Sequence, residues 1–224
     1  MSRALDGFDG KGNERAPIRF FKTSSTDLIE YGWSNRLTLY ADPEYVVASA
    51  QWAGEEPVRA HTFSMEAGAR YRILDSFGIL SVQASYRNSG AFDLSNSRNL
   101  DTASIGELRI LYGTNFTLWD RNGFADVEIA ERDITHPRPN ESVLDVTMGL
   151  RFGTKTMLML QSFNVISGGD ADLPDTYYRT HKIELSAVRA VSDRWRVQLG
   201  VFVSPAGQNS LVEDGVSVAF WFNN

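Results

Sequence analysis

The feature that most constrains this chain is a rhythm of two residues, clearest between Val143 and Val165. Leu144, Val146, Met148, Leu150 and Phe152 are apolar, while Asp145, Thr147, Gly149 and Arg151 between them are charged, polar or without a side chain. Gly153-Thr154-Lys155 supplies a tight turn, and the apolar-rich run Met157 to Val165 returns. Successive side chains of a strand point to opposite faces, so this is a β-hairpin with one oily wall and one charged wall. The fold then depends on what the oily wall faces.

The same rhythm recurs along most of the chain. Phe63, Met65, Ala67, Ala69, Tyr71 and Ile73 alternate with Ser64, Glu66, Gly68, Arg70 and Arg72. Leu108, Ile110 and Tyr112 alternate with Glu107 and Arg109, and Ala125, Val127 and Ile129 with Asp126 and Glu128. Ile183, Leu185 and Ala187 alternate with Lys182 and Glu184, and Trp195, Val197 and Leu199 with Arg196 and Gln198. Val216, Val218, Phe220 and Phe222 close the chain. Eleven strands are visible, the first from Arg19 to Tyr31, with Pro43 interrupting the second. Asp120-Arg121-Asn122-Gly123 predicts a turn built around Asn-Gly. The Gly-rich residues 1–17 predict a loop or terminal segment, and 1–224 a single domain.

A soluble sandwich shows the same alternation. Four features favour lipid and an all-β, antiparallel up-and-down transmembrane β-barrel. Connections alternate between short turns, near Ser34, Asp75, Asp120, Thr154 and Ser192, and loops of roughly seven to fourteen residues, the last of them ending at Asp214-Gly215. Aromatics gather beside the short turns: Tyr31, Trp33, Phe77, Trp119, Phe124, Phe152 and Trp195. Such rings favour the membrane–water interface. The polar wall carries both signs of charge, as an enclosed lumen does: Glu66, Arg70, Arg72, Glu107, Arg109, Asp126, Glu128, Asp145, Arg151, Lys182, Glu184 and Arg196. The last strand alternates apolar and aromatic residues up to the chain end.

Composition narrows the function. A net charge of −6 and no basic block exclude a general affinity for nucleic acid. Without cysteine there is no thiol catalysis or thiolate metal site. The sequence holds no apolar run long enough for a membrane helix. Met1-Ser2-Arg3 leads straight into polar sequence with no secretory signal, which export to an outer membrane requires. No catalytic set, cofactor fingerprint or metal spacing is visible. Asp170, Asp172 and Asp175 share a Gly-rich loop, without the spacing of a calcium loop. His181 shares parity with Ile183 and faces outward with Tyr177 and Arg179, at a height suited to lipopolysaccharide headgroups.

Glu30-Tyr31-Gly32-Trp33 followed by Asn35-Arg36-Leu37-Thr38-Leu39 resembles the hairpin of small Gram-negative outer-membrane barrels of the transporter and phenol-pathway-like channel group. Trp33 stands where that group usually has Leu, and Ser34-Asn35 where it has Thr-Asp. The resemblance implies the bacterial outer membrane, with its lipid and lipopolysaccharide as partners, and leaves the solute unnamed.

Barrels of this kind usually have an even strand count. Eleven strands, with a short turn after the first, predict that this chain lacks an initial strand and that twelve complete the barrel. The expected function is a passive channel for small solutes. The alternatives are a non-conducting barrel with an ion-paired lumen and, less favoured, a soluble all-β binding module.

Overall fold

The structure is a computed structural model that describes residues 1–52, 54, 56–88, 103–135, 138–169 and 177–222. Among these residues there are only strands and connections. The strands are β1 (Ser2–Phe8), β2 (Glu14–Thr26), β3 (Ile29–Gly32), β4 (Leu37–Trp52), β5 (Val58–Leu74), β6 (Ile79–Arg87), β7 (Ile105–Leu118), β8 (Arg121–Ile134), β9 (Glu141–Phe152), β10 (Thr156–Ser167), β11 (Arg179–Ala190), β12 (Trp195–Gln208) and β13 (Ser210–Phe222). All pair antiparallel with chain neighbours, and β1 also pairs with β13, closing the sheet into a barrel. β2 and β3 lie end to end on β4 in one register, Thr26 opposite Glu44 and Ile29 opposite Ala41. They are one interrupted staircase, so the barrel has twelve strands with β3 as the extra segment.

The expectation that this chain lacks its first strand fails. Residues 2–8 are a strand and not a loop, and β2 starts at Glu14. β1 was invisible as a pattern because its register shifts against β2 between Ala4 and Asp6 and again between Gly7 and Phe8. Bulges of this kind erase strict alternation.

Pro43 interrupts the neighbour and not its own strand. The Asp27 amide donates to the Pro43 carbonyl at 3.2 Å. A strand residue aims its N–H and C=O at the same neighbour. The amide hydrogen that proline lacks would therefore have met β2, and the ladder breaks there, between Thr26 and Ile29.

Two connections differ from expectation. Trp119 and Asp120, both with positive φ (51° and 58°), form the β7–β8 turn. Asn122-Gly123 instead lies inside β8, where Gly123 sits opposite Phe116. A Cβ on Gly123 would come within 2.6 Å of the Phe116 ring, so this glycine makes room for an aromatic lying across the sheet. The expected long loop before Gly215 is absent: β12 runs on to Gln208 and turns at Asn209 (φ 45°) into β13. Strands continue above the apolar band, where outward residues turn polar and alternation stops reporting them.

The oily wall faces outward, with no second layer of protein over it among the described residues. Leu108, Ile129, Leu185, Leu199, Val218 and Phe220 are each more than half exposed. An exposed apolar patch on this scale marks a membrane-facing surface. On β12 the band runs from Trp195 to Val203; at about 3.3 Å per residue and a strand tilt near 40°, it spans roughly 20–25 Å, the height of a barrel's lipid belt.

Candidate functional site

Closing the sheet turns the charged wall inward and brings residues far apart in sequence within reach. The densest meeting point lies on β7, β8 and β9. Arg109, with only 10% of its side chain exposed, bonds Glu107 at 2.7 Å and Asp145 at 3.0 Å, and also reaches Glu128. Glu107 bridges onward to Arg132 at 2.7 Å, and Arg132 to Glu141 at 3.1 Å. The Tyr178 hydroxyl donates to the other oxygen of Glu141. Adjacent strands thus carry a continuous ladder of alternating charge across the barrel interior. A buried arginine is tolerable only where acceptors surround it, and here three carboxylates do.

A second cluster sits on β4, β5 and β6. Arg87 bonds Glu44 at 2.8 Å and Glu66 at 2.9 Å, and the Tyr40 hydroxyl donates to Glu66 at 3.0 Å. Arg70 donates to Gln83 at 2.9 Å and pairs with Glu30 at 3.1 Å. On β11 to β13, Lys182 pairs with Glu213, while Glu184 accepts from Ser217 at 2.7 Å.

The remaining charged residues named from sequence lie elsewhere on the inner face. Asp126 is half-buried on β8, near Gly113. Arg72 sits by the short-turn rim, 3.8 Å from Asp75. Arg151 is exposed at the same rim, bordering a recess with Asn115, Thr117 and Phe124. Arg196 is half-buried at the start of β12. The Asp170, Asp172 and Asp175 loop lies outside the described residues.

Of the aromatics, six stand at the short turns. Tyr31 meets Trp33 edge-on with centroids 6.4 Å apart, and Trp195 packs on Phe222 at 4.9 Å. Phe77 and Trp119 are 92% and 78% exposed. Phe152 lies under the Arg121 guanidinium, 4.5 Å from its carbon. Phe124 is a correction. It shares the inward parity of Asp126 and Glu128, packs with Met157, Met159, Val188 and Trp221, and covers Gly149, where a Cβ would lie 2.2 Å from its ring. The real turn at Trp119-Asp120 puts Phe124 inside the ladder.

Several members of the network escaped the sequence reading: Glu44, Arg132, Glu141, Tyr178 and Glu213, while Arg87 follows from its alternation with Leu80, Val82, Ala84 and Tyr86. Arg132 continues the parity of Glu128 and Ala130, and Glu141 that of Val143 and Asp145. Extending each alternation by one inward position would have found both.

The long-loop half holds a cavity of about 320 Å³. Glu66, Arg87, Glu107, Arg132 and Glu141 line it on β5 to β9, and on β2, β4 and β13 Phe20, Val46 and Leu211 line it beside Lys22, Glu44 and Glu213. Phe20 and Val46 belong to an inner patch of Ala4, Ile18, Phe20, Val46, Ala48 and Ala50 on β1, β2 and β4. The interior thus carries charged groups around its wall, with an apolar patch set among them on β1, β2 and β4.

No family model matches the sequence, and no curated protein matches it. Solved structures do. An outer membrane channel from Pseudomonas putida F1 superposes with a TM-score of 0.68 at 14% identity, covering 99% of this chain and 91% of that one. The translocator domain of the autotransporter NalP from Neisseria meningitidis gives 0.61 at 12% identity, covering 100% and 86%. The NanC porin gives 0.53 at 10% identity, covering 100% and 98%. The chain has the fold of outer-membrane β-barrels.

Proposed function

We propose that this protein is a narrow, passive channel of the bacterial outer membrane for small solutes. The observation that carries this reading is the cavity in the long-loop half of a closed barrel, lined by charges of both signs and an apolar patch, with Glu107 and Arg132 of the ion-pair ladder in its wall. A solute entering from the long-loop side, which faces outward in barrels of this type, meets an apolar patch set among charged groups of both signs. Toward the short-turn rim, Phe124 and Trp221 pack inside the barrel against Met157, Met159 and Val188. Twelve strands stand between eight-strand barrels filled by side chains and the wide porins. The likeness in fold to an outer membrane channel and a porin supports the same reading. Lumen charges of both signs support weak ion selectivity.

Protein reconstituted into planar bilayers is expected to give steady, small conductance steps with a reversal potential near zero in a salt gradient. Silence at all voltages, across independent preparations, would favour the second reading, a sealed barrel. That reading has its own support in how little the Arg109 and Glu107 side chains are exposed, 10% and 7%.

A further inference from the structure

The outer face of β10 and β11 changes character within a few residues. Leu160 stands opposite Leu185, and Leu185 opposite Val201, a row of three apolar side chains that are all more than half exposed. Above that row Ser162 stands opposite Ile183, and Asn164 opposite His181. Higher still Ile166 stands opposite Arg179. This column faces outward, since Ile166 is exposed and Ser167 beside it is buried. On β12 the apolar band ends at Val203, the partner of Ile183, and a bulge there brings Ala206 alongside His181. Ser162, Asn164, His181 and Arg179 thus lie where acyl chains give way to headgroups.

The hydrogen bonds fix what this cluster offers. The Asn164 side-chain nitrogen donates to the Leu144 carbonyl at 2.8 Å and to the Ser162 hydroxyl oxygen at 3.1 Å. Both amide hydrogens are then used, and the amide oxygen can only accept. In the bond between Asn164 Oδ1 and His181 Nδ1, histidine is therefore the donor. That sets the tautomer: Nε2 of the neutral ring is an acceptor. Among the described residues nothing bonds Nε2. Ser162 accepts from Asn164 and keeps its own proton to donate. Arg179 is exposed, lies 5.3 Å from the Tyr177 ring centre, and has no carboxylate partner among the described residues.

We propose that this cluster binds one molecule of a phosphorylated, acylated amino-sugar lipid, a lipopolysaccharide of the outer leaflet. Arg179 takes the phosphate, as guanidinium groups do. His181 Nε2 accepts from an amide N–H or a hydroxyl of the acylated sugar, and Ser162 donates to an acyl carbonyl. The acyl chains lie on Leu160, Leu185 and Val201, and small Ala206 leaves room beside the imidazole. Asn164 is a positioning residue that acts through the histidine ring. The order along the strand selects the lipid. Nε2 needs a donor placed between the phosphate and the acyl chains, because His181 lies on the acyl side of Arg179. Phosphatidylcholine offers acceptors only, and phosphatidylglycerol carries its hydroxyls beyond the phosphate. The proposal rests on the long loops facing outward in the outer membrane and is independent of conduction.

The test titrates the whole chain, folded in detergent micelles, with deep-rough lipopolysaccharide and counts retained lipid by native mass spectrometry. One molecule is expected to stay bound. Arg179→Ala and His181→Phe are each expected to weaken it about tenfold, the loss of one strong hydrogen bond. Arg189→Ala, outward on the same strand at the short-turn rim, leaves binding unchanged. The NMR signal of His181 Nε2 moves on addition of the lipid. In Asn164→Ala the ring loses its single tautomer and binding falls about threefold. Three results would overturn the proposal: phosphatidylglycerol retained as tightly as lipopolysaccharide, Arg189→Ala as harmful as Arg179→Ala, or a His181 Nε2 signal that the lipid leaves in place. The nitrogen signal of the unmodified protein decides the matter even if a variant fails to fold. A barrel that binds the lipid and stays silent in planar bilayers keeps this site and loses the channel; one that conducts without binding does the reverse.

Discussion

From β6 to β11 every ladder holds a single register from end to end. Around β1 the register shifts twice against β2 and once against β13. The two regions also differ in what they present outward. The regular wall shows Leu108, Ile110, Ile129, Leu158, Leu160 and Leu185, while the outer face of β2 below Phe21 shows Thr23 and Ser25. Inside, the regular wall holds the Arg109 ladder, and the seam holds the small and apolar Ala4, Ile18 and Ala48. Where alternation is strong, a slip of one residue would put charges into lipid, so the pattern fixes register strand by strand. Where it is weak, closure depends on contacts made by strands far apart in the chain.

This contrast predicts that the wall is sensitive to single changes and the seam tolerant. The largest effect is expected for Arg109→Ala. It leaves Glu107, Glu128 and Asp145 facing one another without their shared cation, and breaking a buried network of this kind costs about 3–5 kcal/mol. A lower midpoint in heat-dependent gel mobility would show it; an unchanged midpoint would mean that water, and not Arg109, solvates these carboxylates. Next comes Gly149→Ala, whose methyl group would press into the Phe124 ring. Overpacking of this sort costs about 1–3 kcal/mol. The second change Phe124→Leu should restore most of the loss, and a double mutant no better than the single would sever that contact from the cost. The smallest effect is expected at the seam. Arg3 and Asp214 pair at 3.1 Å with 67% and 50% of their side chains exposed, so Arg3→Ala should cost about 0–1 kcal/mol in the same measurement. A loss as large as that for Arg109 would erase the distinction between the two regions.

Much of the barrel was legible from residues alone, because a strand in a one-layer sheet with lipid outside must alternate. The regular hairpins were read this way, and so was the inward direction of Glu66, Arg109 and Asp145. The misreadings share a cause. Alternation reports a strand only where its two faces differ, so it missed the bulged β1, the polar upper ends of β8, β9, β12 and β13, and with them Arg132, Glu141 and Glu213. Phe124 was misjudged because Asn122-Gly123 looks like a turn by local chemistry, while the ladder that places Phe116 over Gly123 moves the turn to Trp119-Asp120.

By itself, then, the sequence determined which side chains lie on the oily face and which on the ionic one, since that follows from the geometry of neighbouring residues. Only the closed barrel decided how many strands share the wall and which charges meet. Arg87 finds Glu44 across 43 residues of chain, and Arg109 finds Asp145 across 36. Such partners are set by strand order and tilt, which belong to the sheet as a whole and are written in no single strand.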